Sequence, residues 1–161
     1  MNNVNLNYLN VLGEISLDSL HINQAFDYYC HRYQHSRFAQ QFVQLNCRIS
    51  DDLRGSQKIG LCDRTMGKSI PNCRDTQGAA IRGSLIRCGL IRSTGHELFR
   101  GCIVFPLFDE NGNVLSATGY RTGRIRRGDK AIVYWGKPAP NLFVDRGIAY
   151  AKGVINAQTH H

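Results

Sequence analysis

Two arginines frame the part of this sequence with the clearest chemistry. Arg100 and Arg121 lie at or near the ends of segment 98–121, Leu-Phe-Arg-Gly-Cys-Ile-Val-Phe-Pro-Leu-Phe-Asp-Glu-Asn-Gly-Asn-Val-Leu-Ser-Ala-Thr-Gly-Tyr-Arg. Residues 102–108 and 114–120 are short runs rich in β-formers, with Asn111-Gly112 between them. Asn-Gly readily takes the positive φ of a tight hairpin turn, so the spacing predicts two adjacent antiparallel strands. The start of one strand then lies beside the end of the next, which brings the two guanidiniums together at the open end. Two planar, permanently charged forks of donors on a rigid sheet can clamp a phosphate. The alternative is a pair of solvated strand-end side chains.

Arg124, Arg126, Arg127 and Lys130 follow directly, with Gly123 and Gly128 among them. A cationic loop of this kind lies easily along a phosphate backbone. A third strand is expected over 131–135. Tyr134 and Trp135 alternate across it, so one faces the core and the other is open to stack on a base. Trp135 is taken as the binding candidate.

The totals point the same way. Lys and Arg number 20 against 12 acidic residues, a net charge of +8, and fifteen of the 20 are arginine. A domain this basic usually meets a polyanion, and the arginine bias favours phosphate recognition. With 161 residues and 42% hydrophobic content the chain can build one real core. It has no run of about 18 apolar residues that could span a membrane. The start Met1-Asn2-Asn3-Val4-Asn5 does not resemble a signal peptide, so a cytoplasmic location is expected. Cysteines 30, 47, 62, 73, 88 and 102 include no Cys-x-x-Cys pair, and they are read as reduced, mostly buried thiols. His31 and His35 are four apart but lack a third ligand, so no metal site and no cofactor are expected.

These residues need elements to hold them. Residues 1–16 are expected to form a loose leader, and 17–161 a single α+β domain. A helix beginning at Ser19 or Asn23 would bury Ala25, Phe26, Tyr29 and Tyr33. A second, over 37–47, would present Phe38, Phe42 and Leu45 as one face, widened by Ala39 and Val43. Ser50-Asp51-Asp52-Leu53 opens a very short helix, 59–62 is a brief strand, and Arg64, Lys68 and Arg74 lie in the loop that follows. Asp75 or Thr76 caps a helix running through Leu90 that buries Ile81, Leu85 and Cys88. Arg82 lies off that buried face, near Ile86, and joins the binding candidates. A last helix is expected over 143–155. The fold class is therefore a short antiparallel β-meander flanked by helices.

The order of elements, with Leu98-Phe99-Arg100-Gly-Cys-Ile-Val-Phe105-Pro106, Asp109-Glu-Asn-Gly112-Asn-Val114 and Gly119-Tyr-Arg121, resembles bacterial-type DNA primase. The likeness is to the N-terminal subdomain of the primase's RNA-polymerase core. Tyr28-Tyr29, Ile49-Ser50-Asp51-Asp52, Ile59-Gly60-Leu61 and Cys88-Gly89-Leu90-Ile91 extend it upstream, and Lys130 and Leu142-Phe143 downstream, over roughly 22–150. In that family the subdomain forms one wall of a basic groove carrying single-stranded template. The resemblance thus implies template-binding roles for Arg100, Arg121 and Lys130. The sequence departs from the pattern at Leu98 and Cys102, where the family is usually basic, and at Val133-Tyr134-Trp135-Gly136, which replaces an Asn-Ser-Pro stretch.

Primase chemistry also needs a Toprim fold whose acidic cluster holds divalent metals. The sequence has no Asp-x-Asp, and no catalytic residue is assigned. The expected function is a stand-alone, primase-like module that binds nucleic acid, single-stranded DNA above all. It would act in replication or its control for a phage or other mobile element. The alternatives are an interaction protein that docks on a replication protein or a host defence complex, and one subunit of a split primase.

Overall fold

The computed structural model describes residues 3–72 and 74–138. The helix expected over 143–155 and the primase-like 142–143 lie outside them. The elements run α1 (Asn3–Gln34), α2 (Arg37–Leu45), α3 (Asp51–Arg54), β1 (Gly60–Cys62), α4 (Met66–Ser69), α5 (Thr76–Arg87), β2 (Cys102–Phe108), β3 (Val114–Arg121) and β4 (Ile132–Gly136). The strands form one antiparallel sheet in the order β1-β2-β3-β4, an α+β meander as expected, with β1 added as a fourth strand. Gly60 pairs with Val104, Cys102 with Arg121, and Thr118 with Tyr134.

Period-two alternation on the strands divides the core between two faces. On one face Ile22, Phe26 and Tyr29 of α1 and Leu85 of α5 pack with Val104, Ala117 and Trp135. On the other, Ala39 and Val43 of α2 pack with Ile49, Ile103 and Phe105. Each of the Val, Leu, Ile and Phe side chains among them contributes about 1.5–3 kcal/mol when fully buried. Gly119 sits where the first face is tightest: a Cβ there would lie 2.5 Å from Cδ1 of Phe99 and 3.1 Å from Cβ of Cys102.

Polar ties fix the helices to this frame. The Ser84 hydroxyl donates to the buried Asp18 carboxylate at 2.5 Å, and His21 Nδ1 lies 2.7 Å from Ser84 Oγ. With the Ser84 proton directed to Asp18, Nδ1 of His21 is the donor to Oγ. Arg87 donates to both Asp18 oxygens, at 3.2 and 2.8 Å, which joins α1 to α5. At the other end of the sheet the Asn23 side chain accepts from the Val114 N–H at 3.1 Å and donates to Asn113 at 2.8 Å.

Several expectations change. The first helix starts at Asn3, ahead of the expected Ser19 or Asn23. In α2 the expected face is shifted towards Ala39 and Val43. Phe38 and Leu45 are 62% and 83% exposed, while Ala39 and Val43 are fully buried. Ala39 and Val43 join the buried cluster of Ile49, Ile103 and Phe105, and Phe42 packs at its edge. The β2–β3 turn is longer than two residues. Asp109 accepts from the N–H groups of Asn111 and Asn113, each at 2.9 Å, and a bulge lies between Leu107 and Phe108. Within this turn Gly112 takes φ 81°.

Candidate nucleic-acid interface

Five segments converge at the open end of the β2–β3 hairpin. The turn after β1 supplies Arg64, α4 supplies Lys68, and α5 supplies Arg82. Residues 95–100 bring Glu97 and Arg100; the end of β3 and the loop after it bring Arg121, Arg124, Arg126 and Asp129. Together they line a cavity of about 380 Å³ with seven basic and two acidic side chains. Focused positive potential in such a cleft attracts anions and holds phosphate.

The expected meeting of Arg100 and Arg121 takes an unexpected form. Arg121 Nη1 donates to the Arg100 carbonyl at 3.2 Å, and its Nε to the Lys130 carbonyl at 2.6 Å. These bonds fix the guanidinium without neutralising it, because carbonyls carry no net charge. Arg82 is half-buried and donates from Nη2 to the carbonyls of Gly67 at 3.1 Å and of Ile70 and Pro71 at 3.4 Å. It is thus a strut under the α4 turn as well as a wall of the cavity. Its Nε is buried with no hydrogen-bond partner among the described residues.

Arg124 and Arg126 reach the cavity; Arg127 is exposed on the same loop and does not line it. Lys130 lines an adjoining cavity of about 290 Å³ with Arg92 and Tyr134, and Arg121 and Asp129 border both. Trp135 is a correction. It is only 7% exposed, its Nε1 donates to the Cys88 carbonyl at 2.8 Å, and its ring lies 5.4 Å from that of Phe26. The ring is core, so it offers no stacking surface. Tyr134 is the residue that points outward, at 73% exposure.

Arg64, Lys68 and Arg92 were not legible as site residues. Arg64 carries the only positive φ of any non-glycine residue described, 67°. The turn around it is locked. Arg32 Nε donates to Asp63 at 2.6 Å, the Thr65 hydroxyl donates to Asp63 at 2.5 Å, and Tyr28 Oη lies 2.5 Å from Thr65 Oγ1. Burial raises the Asp63 pKa, but the hydrogen bonds from Thr65 and Arg32 outweigh it and hold the carboxyl below its usual range.

Glu97 is the acid at the cavity floor, 9% exposed. It accepts from the Tyr29 hydroxyl at 3.3 Å and from the Cys62 thiol at 3.4 Å. Burial raises its pKa above the ordinary glutamate value, against those two hydrogen bonds. Burial also pushes Tyr29 and Cys62 up, so all three are held towards their protonated forms. Among the described residues no group of three or more His, Cys, Asp or Glu converges on a metal-sized site. Nor is any described helix long and apolar enough to cross a membrane.

No family model and no curated protein matches the chain. Among solved structures it is similar to the DnaG catalytic core, with a TM-score of 0.54 and 20% identity over 78% of this chain and 39% of that one. The fold resembles a primase core subdomain. The DnaG primase catalytic domain bound to ssDNA gives a TM-score of 0.55 at 19% identity, covering 80% of this chain and 41% of that one. Aquifex aeolicus primase, with its zinc-binding and RNA polymerase domains, gives 0.56 at 13% identity, covering 80% and 31%. The chain therefore spans about two fifths or less of these primase structures. At such identities the likeness is one of fold.

Proposed function

We propose that this chain is a nucleic-acid-binding module with a primase-like fold. It takes single-stranded DNA across the cavity walled by Arg64, Arg100, Arg121 and the 124–130 loop. We place its work in replication or its control, for a phage or other mobile element. The observation that carries the reading is the convergence of seven basic side chains from five separate segments on one cavity. A likeness of fold to a primase domain bound to ssDNA supports it. The binding is electrostatic in the main and therefore salt-dependent.

The test is a titration of parent and an Arg124→Ala, Arg126→Ala, Arg127→Ala triple variant against single- and double-stranded DNA at two or more salt concentrations. The parent should prefer the single strand. The variant should bind more weakly, with a salt slope flatter by about 0.7 for each phosphate no longer neutralised. A folded triple variant that binds like the parent at every salt concentration refutes this placement of the strand.

A second reading, docking on a replication protein or host defence complex, draws on one feature. Phe38 and Leu45 stand exposed beside Phe42 around a shallow apolar cavity of about 310 Å³ on α2. A defined complex that survives nuclease treatment and disappears with Phe38→Ala would favour it.

A further inference from the structure

The second cavity asks for something the first does not. It has about 290 Å³, at the small end of ligand clefts and sized for one ring system. Arg92, Arg121 and Lys130 supply charge at its rim, and Tyr134 supplies the aromatic surface. Tyr134 lies on β4 opposite Thr118, and its side chain projects to the sheet face away from Trp135. It is 73% exposed, and no ring among the described residues packs against it. Tyr120, the other tyrosine on that face, already meets Phe105 edge-on at 5.6 Å and is half-buried. The Tyr134 backbone is fixed in the sheet, so its ring has only two torsions left to order on binding.

We propose that Tyr134 is a stacking platform for one unpaired nucleobase of the strand held in the neighbouring cavity. This rests on the reading of the first cavity as a phosphate track. The two cavities share Arg121 and Asp129, so a strand leaving the first passes directly to the second. Its phosphates stay near Arg121 and Lys130 while a base turns onto the ring. A duplex keeps its bases paired and stacked internally and cannot use the platform.

The experiment compares parent, Tyr134→Ala and Tyr134→Phe on three probes: a short single strand of mixed sequence, an abasic strand of the same length, and the duplex. Tyr134→Ala should weaken binding to the base-containing strand about 5- to 150-fold, which is the loss of one base–aromatic stack. It should leave the abasic strand, the duplex and the salt slope as in the parent, and Tyr134→Phe should keep most of the affinity. Thermal melting confirms that the variants fold. If Tyr134→Ala binds both single strands as the parent does, Tyr134 is a surface tyrosine only and the platform is overturned while the phosphate track stands. If it weakens the abasic and base-containing strands equally, the ring acts on the backbone, and the platform again fails. A parent that binds no probe at low salt overturns the track and the platform together.

Discussion

Replacing Arg64 with glycine should make the protein more stable and a weaker binder. A non-glycine residue in the left-handed region costs about 1–2 kcal/mol, because Cβ crowds the following carbonyl. Arg64 adopts φ 67° and so carries that cost. Glycine takes the same backbone freely but loses about 0.5–1 kcal/mol more entropy on folding. The balance leaves Arg64→Gly more stable by about 0.5–1 kcal/mol, which raises Tm by a few degrees in a domain of this size. The Asp63, Thr65, Arg32 and Tyr28 bonds that hold the turn are untouched by the change. The same substitution removes one cation from the cavity, so the salt slope for single-stranded DNA should flatten by about 0.7. Calorimetry and a binding titration on one preparation read both effects. Arg64→Lys keeps the strain and the charge, and should leave Tm and the salt slope near the parent's. A fall in Tm with Arg64→Gly would mean the side chain holds the fold together. A rise in Tm with unchanged binding would mean that the strained turn does not serve the anion site.

Glu97→Gln keeps an acceptor for Tyr29 and Cys62 but removes the buried charge. The folded pKa of Glu97 is raised, so its proton-linked stability is complete below the unfolded value of about 4.5 and is lost as pH rises through the folded one. The variant should therefore melt higher than the parent at pH 7–8 and alike near pH 4, and superimposable Tm-against-pH curves would refute this. Trp135→Ala should cost about 3–5 kcal/mol in denaturant unfolding, because it empties a core site and strands the Cys88 carbonyl. Strand binding by the folded fraction should be unchanged, and a normal midpoint with abolished binding would put the ring back in the interface. Gly119→Ala should cost about 1–3 kcal/mol, since the new methyl meets the buried Phe99 ring and Cys102. A parent-like midpoint would show that the Phe99 ring and Cys102 can give way to a methyl group.

The sheet was legible almost to the residue because its signals are local. Apolar runs on both sides of Asn111-Gly112 gave β2 and β3, and Asp75 caps α5 by accepting from the Gln77 N–H. What was not legible depends on packing between segments distant in sequence. Which side of α2 is buried depends on the cluster of Ile49, Ile59, Leu61, Ile103 and Phe105 drawn from distant segments, which takes in Ala39 and Val43 and leaves Phe38 outside. Alternation told that Tyr134 and Trp135 part company, but only the approach of Phe26 and the Cys88 carbonyl decides which goes inward. Arg64 gave no sequence signal, since a positive φ at arginine is imposed by the surrounding turn. Arg100, Arg121, Arg124 and Arg126 were nameable as cations near one hairpin end. Lys68 and Arg92 reach the two cavities from segments that sequence order keeps apart.

The two carbonyl bonds of Arg121 have a kinetic consequence. By holding the Arg100 and Lys130 carbonyls to one guanidinium, they brace the segment between Arg121 and Lys130. The β3–β4 pairing and the Arg121 N–H bond to the Ala131 carbonyl already close the ends of that segment. A segment closed at both ends samples far fewer placements than a free tail of the same length. Arg124 and Arg126 are therefore tethered beside the cavity at an effective concentration of about millimolar. Once one phosphate is seated, each further ion pair from the loop forms intramolecularly, and one that breaks reforms before the strand can diffuse away. Arg121→Ala, which removes this bracing and one phosphate contact while the strand pairing stays, should show chiefly as a faster off-rate, with capture of the strand much less altered.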